Sequence, residues 1–169
     1  MKKNYLVILL IIITLLSSCS NSTNKTTLEN SFDNKKITVD SNKMFDIEIV
    51  EREEPTNISE GTPEWGIKLH NDSGYIYFIV SNSIKQQIIE FSEIDEVKNI
   101  EINGLQGTYY IDNSYGDNDD VAIQIIFDNE LNQTTGMFSY GIISIFDKEY
   151  YNDNKMIINE IIYSFNVLD

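Results

Sequence analysis

Cysteine occurs once in the 169-residue chain, at Cys19, so no internal disulfide can form and no zinc centre can be built on several thiolates. Histidine also occurs once, at His70, which excludes a His-rich metal centre. Arginine is limited to Arg52, and twelve Lys plus Arg face twenty-seven Asp plus Glu, a formal charge of −15. Nucleic-acid binding runs on Lys and Arg neutralising phosphates, so that class is excluded. The eight glycines form no phosphate loop and no dinucleotide fingerprint. An HExxH helix and a Gly-x-Ser-x-Gly elbow are also missing, and His70 is expected in a turn, which leaves no Ser-His-Asp arrangement to build. The length suits one domain, since an ordinary core needs roughly 100 to 200 residues.

What is present begins with Lys2 and Lys3, followed by an apolar run of twelve residues from Tyr5 to Leu16. A spanning helix needs about 20 residues, so this is read as the basic and hydrophobic regions of a signal peptide. The run ends Leu16-Ser17-Ser18-Cys19, which resembles the lipobox of bacterial lipoproteins. That resemblance implies cleavage before Cys19, a diacylglycerol on its sulfur, and residence on the extracytoplasmic face of the cell membrane. A secreted protein with an incidental cysteine and an uncleaved anchor are the alternatives. Loss of residues 1–18 with their two lysines leaves 151 residues and −17 for an acylated chain. Such acidity rules out direct attraction to anionic headgroups, so the lipid is the membrane contact. Equally, it can serve only to keep the protein soluble. The abundance of Ile, Asn, Lys and Tyr matches an AT-rich genome, pointing to a low-GC, Gram-positive bacterium.

Residues 19–35, rich in Ser, Thr and Asn, are expected to form a flexible tether, with docking of Leu28 and Phe32 as the alternative. Residues 36–169 are expected to form a single α+β domain. Strands are expected at Ile37 to Val39 and Phe45 to Ile49. A long loop containing both prolines follows, and then a hairpin of Trp65 to Leu69 and Tyr75 to Val80 turning at His70 to Gly74. Ser83 and Gln86 form a capping-box pattern, and Ile84, Ile88, Phe91 and Ile94 mark a helix running to about Lys98. Asn103-Gly104 predicts a two-residue hairpin turn between strands at Ile100 to Ile102 and Leu105 to Ile111. Val121 to Phe127 alternates, and Met137 to Phe146 is apolar on both faces, as a central strand is. A second helix is expected from near Asp153, with Ile157, Ile158, Ile161, Ile162 and Phe165 on one face. The whole predicts a mainly antiparallel sheet with two amphipathic helices packed on it.

The hairpin, the helix, IEINGLQGTYY, two long strands and the ending Ile161-Ile162-Tyr163-Ser164-Phe165 resemble the PsbP-like group of α/β/α domains over residues 36–169. That resemblance implies an accessory or binding role. It carries no catalytic machinery, so no active-site residue follows from it.

Two acidic stretches stand out. Asp112, Asp117, Asp119 and Asp120 are candidate Ca²⁺ ligands in DNSYGDNDD, without the order of an EF-hand and with a solvated loop as the alternative. Glu48, Glu51, Glu53 and Glu54 surround Arg52 as a solvated strand end or a face for a basic partner. Tyr109, Tyr110, Tyr150 and Tyr151 are interface candidates, since tyrosine combines an apolar body with a polar tip; ordinary strand-forming tyrosines are the alternative. The sequence calls for no cofactor. The leading expectation is a membrane-tethered, non-enzymatic module binding a protein or envelope component through a sheet face or an uncovered edge. The competing expectations are an envelope hydrolase with paired carboxylates, needing a cleft with one desolvated acid, and a carrier of a small apolar ligand, needing an apolar cavity.

Overall fold

The computed structural model describes residues 24–29, 36–51, 64–81, 93–128 and 139–168. The segment expected as a signal peptide, Cys19, the proline-containing loop and the expected helix residues Ser83 to Phe91 lie outside the described residues.

The described strands are β1 (Asn24–Glu29), β2 (Lys36–Ser41), β3 (Asp46–Glu51), β4 (Glu64–Asn71), β5 (Gly74–Ser81), β6 (Glu96–Ile102), β7 (Leu105–Tyr115), β8 (Asp120–Phe127) and β9 (Ser139–Phe146). The helix α1 (Lys148–Tyr163) and strand β10 (Asn166–Leu168) complete the described elements. Seven strands form one antiparallel sheet in the order β3-β4-β5-β9-β8-β7-β6, and β1-β2-β10 form a second. The architecture is α+β, a mostly antiparallel sheet with one helix among the described residues.

Two expectations about helices are corrected. The first helix cannot extend to Lys98, because Glu96, Val97 and Lys98 open β6, whose buried Ile100 and Ile102 recur at the strand period of two. The second begins at Lys148, five residues before Asp153. Tyr151 belongs to its buried stripe with Ile158, Ile161 and Ile162.

β9 is the fourth of the seven strands, the central place expected from its apolar pattern. The Asn103-Gly104 turn has φ of 49° and 86°, the paired left-handed geometry that suits this dipeptide in a tight hairpin. Asn103 Nδ2 also donates to the Phe165 carbonyl at 2.7 Å, tying the hairpin to the end of α1. Gly74 sits at φ 149°, where an added Cβ would run into the Ile145 carbonyl and Phe146.

Register sorts the large sheet's side chains into two faces. Ile67, Phe78, Ile142, Ile125 and Tyr109 stand opposite one another in turn and belong to the core, with the buried residues of α1. Ile37 and Val39 of β2 join the same core, so α1 and the small sheet cover this face. Phe165 fills the space between the layers, its ring 5.6 Å from Phe78, 5.5 Å from Phe127 and 6.3 Å from Tyr140. Burying one such ring stabilises by about 3 kcal/mol.

The small sheet changes the reading of the tether. β2 has Ile37, Thr38 and Val39 buried on both faces and pairs with β1 on one side and β10 on the other. Asn24 to Glu29, within the segment expected as tether, therefore supply an ordered neighbour to β2. The Asp40 N–H donates to Ser164 Oγ at 2.8 Å, and that hydroxyl donates to the Ile161 carbonyl at 2.6 Å, closing the helix end against β2.

Candidate functional site

Two regions offer chemistry to a partner: one edge of the large sheet and a polar recess at the start of α1.

The edge is β3. It bonds to β4 along one side, and among the described residues no strand bonds to the other. An uncovered strand edge presents backbone N–H and C=O groups to any chain able to pair with them. Ile47 and Ile49 face the covered side, opposite Leu69 and Ile67, yet stay 43% and 44% exposed. Met44, in the preceding turn, is 37% exposed. Asp46 and Glu48 point to the other face, where Lys68 Nζ lies 3.8 Å from the Glu48 carboxylate. Over Asp46 to Ile49, β3 thus alternates acid and isoleucine with both types accessible, and Val50 and Glu51 then exchange the faces of apolar and acidic side chains.

The recess, about 480 Å³, is lined by Ser73, Asn118, Asp120, Asp147, Lys148, Glu149, Tyr150, Asp153 and Asn154. It forms where β9 runs straight into α1. Asp147 caps the helix through its backbone carbonyl, which accepts the Tyr151 N–H at 2.9 Å, and its side chain makes no capping bond. Burial, then the neighbouring Asp147 and Asp119, push the Asp120 carboxyl above the ordinary carboxylate range. Asp119, held at φ 58°, goes the other way: Lys148 Nζ donates to both its oxygens at 2.9 and 2.8 Å, lowering its pKa.

The four acids proposed as Ca²⁺ ligands are not brought together. Asp112 is fully buried and caps a bulge, accepting the Ser114 N–H at 2.8 Å and the Glu93 N–H at 3.4 Å. Asp117 is exposed in the turn, Asp119 is held by Lys148, and Asp120 alone lines the recess. Among the described residues no three His, Cys, Asp or Glu side chains form a metal-holding group.

The tyrosine candidates also separate. Tyr109 and Tyr151 are buried, which assigns them to the core rather than to an interface. Burial, foremost, and then their mutual proximity and Glu96 hold the Tyr109 hydroxyl well above its ordinary range; burial raises Tyr151 as well. Tyr110 is partly buried on the opposite face. Tyr150 stacks on Phe146 at 5.5 Å and accepts a 2.7 Å hydrogen bond from Asn71 Nδ2, a positioning contact at the recess rim. His70 lies within β4, opposite Asp46 and Tyr75, and not in a turn as expected.

The alternation of Phe45 to Ile49 predicts a strand with one covered face, whereas Ile47 and Ile49 remain accessible. The alternation was readable, but the edge position depends on strand order. The grouping of Asp120 with Asp147 depends on the same long-range order.

No helix among the described residues is long and apolar enough to cross a membrane. The chain matches no protein-family model, no curated protein sequence and no solved structure.

Proposed function

We propose that this chain is a lipid-anchored extracytoplasmic module, held at the cell membrane through Cys19, that binds a protein or envelope partner along β3 and performs no catalysis. The observation that carries the reading is the accessible strand edge with Ile47 and Ile49 exposed. An edge strand left open with apolar side chains is an aggregation hazard unless something pairs with it, and a binding strand is such a use. The lipobox supports the anchor, and the resemblance to PsbP-like domains supports an accessory role. Phe165 packed against Phe78, Phe127 and Tyr140 fills the layer where an apolar-ligand carrier would need space.

The test uses the full chain in native membranes with a photo-crosslinking amino acid at position 49 or 98. Discrete crosslinked products from position 49 and none from position 98 are expected, and both the products and membrane residence disappear with Cys19→Ala. Equal products from the two positions would contradict the reading.

The recess favours a second reading, a hydrolase in which Asp120 is the candidate general acid, because it lines the recess beside Asp147 and its carboxyl is raised, while a neighbouring carboxylate activates water or attacks as nucleophile. A raised acid stabilises the fold below the unfolded pKa of about 4, and that contribution is lost as pH rises through the folded value. Asp120→Asn therefore leaves the folded protein at least as stable at pH 7 as the parent. Under the hydrolase reading the same change abolishes turnover of cell-wall glycan; under the binding reading glycan is not turned over by either protein.

A further inference from the structure

We infer that the partner of β3 is an extended segment that alternates basic and apolar residues and adds to the large sheet as an eighth strand. This deepens the binding-edge reading and rests on it. Side chains directly opposite in a paired strand share a face, so a strand beside Asp46 to Ile49 meets Asp46 and Glu48 on one face and Ile47 and Ile49 on the other, before Val50 and Glu51 end the pattern. Lysine or arginine at alternate positions matches the acids, and valine, isoleucine or leucine between them covers the isoleucines. Both faces of the added strand are specified by β3, and the main-chain bonds supply the attachment.

The same pattern disfavours a second copy of this chain. In an antiparallel self-pairing centred on Glu48, that residue meets itself, and centred on Ile47, Asp46 meets Glu48. Every other register along the strand sets an acid against an acid or an apolar side chain. Like charges directly opposite are destabilising, and the net charge of −15 adds long-range repulsion between copies. A positively charged strand turns both effects into attraction.

Trp65 supplies the readout, being the only tryptophan and standing opposite Glu51 on the strand next to β3. The full chain in detergent is titrated with an eight-residue peptide alternating lysine and valine. Its controls are a peptide with the same residues in two blocks and one alternating glutamate and valine. The alternating basic peptide is expected to shift Trp65 emission saturably, to bind about tenfold tighter than the block peptide, and to weaken with salt. The Asp46→Lys, Glu48→Lys double variant is expected to lose about tenfold in affinity while keeping its far-ultraviolet dichroism. Equal binding of the block or glutamate peptide, unchanged binding by the double variant, or no binding by a folded parent would overturn the inference. A dimer in sedimentation that Ile49→Lys dissolves would also overturn it, by giving the edge to a second copy. Peptide failure together with a crosslink from position 49 in membranes removes only the basic-strand partner; failure of both removes the binding-edge reading as well.

Discussion

One row of side chains crosses the covered side of the large sheet from edge to edge, starting at Ile49 on β3 and passing through Ile67, Phe78, Ile142, Ile125 and Tyr109 to Lys98 on β6. The neighbouring row starts at Ile47 and ends at Glu96. The two edges terminate the same core in opposite ways. On β6 the last two positions form an ion pair, Lys98 Nζ to Glu96 at 2.8 Å, and the lysine sits 4.5 Å over the Tyr109 ring. An inward-pointing charge of this kind blunts an edge against strand addition. On β3 the positions that end the same two rows are exposed isoleucines; Asp46 and Glu48 lie on the other face, and Glu51 follows Ile49 on the covered side, opposite Trp65. The contrast teaches that edge exposure by itself is not the signal; the chemistry placed at the end of each row is.

The largest effect that can break this comparison lies within one row. Ile142→Ala, at the fully buried centre, is expected to cost about 2 to 5 kcal/mol in urea unfolding, whereas Ile49→Ala at the edge stays within about 0.5 kcal/mol. Similar losses at both positions would mean that Ile49 is a core residue and β3 no docking edge. A smaller effect sharpens the contrast from the other side. Lys98→Ile removes the inward charge from β6 and is expected to raise self-association in sedimentation at little change in stability, with Ile49→Lys leaving the chain no more associated than the parent. No association by the Lys98 variant would show that the ion pair does not guard that edge.

Features set by local chemistry were legible in the sequence. Asn103-Gly104 specified its turn because that dipeptide tolerates two consecutive positive φ values, and the apolar run of β9 specified a strand at the centre of the sheet. The start of α1 was misread because Tyr150 and Tyr151 resemble strand formers; the helix stripe decided their place, sending Tyr151 into the core. β1 escaped notice because its Asn, Lys and Thr residues look like a solvated tether, and its pairing is a demand made by β2. β10, three residues long, has too little pattern to read. The edge site was half legible: alternation of acid and isoleucine is local, while the outermost position of β3 follows from pairings far apart in the chain. The scattering of Asp112 from Asp120 has the same cause, since the bulge between Asp112 and Tyr115 turns one acid inward as a cap.

The central claim is that β3 and not β6 is the strand that pairs with a partner. Amide hydrogen exchange of the full chain, read segment by segment in native membranes and again after extraction into detergent, tests it most directly. The account predicts that 46–51 are protected in membranes and lose that protection on extraction, while 96–102 exchange at the same rate in both. Unchanged exchange across 46–51, or protection gained at 96–102 instead, would contradict it.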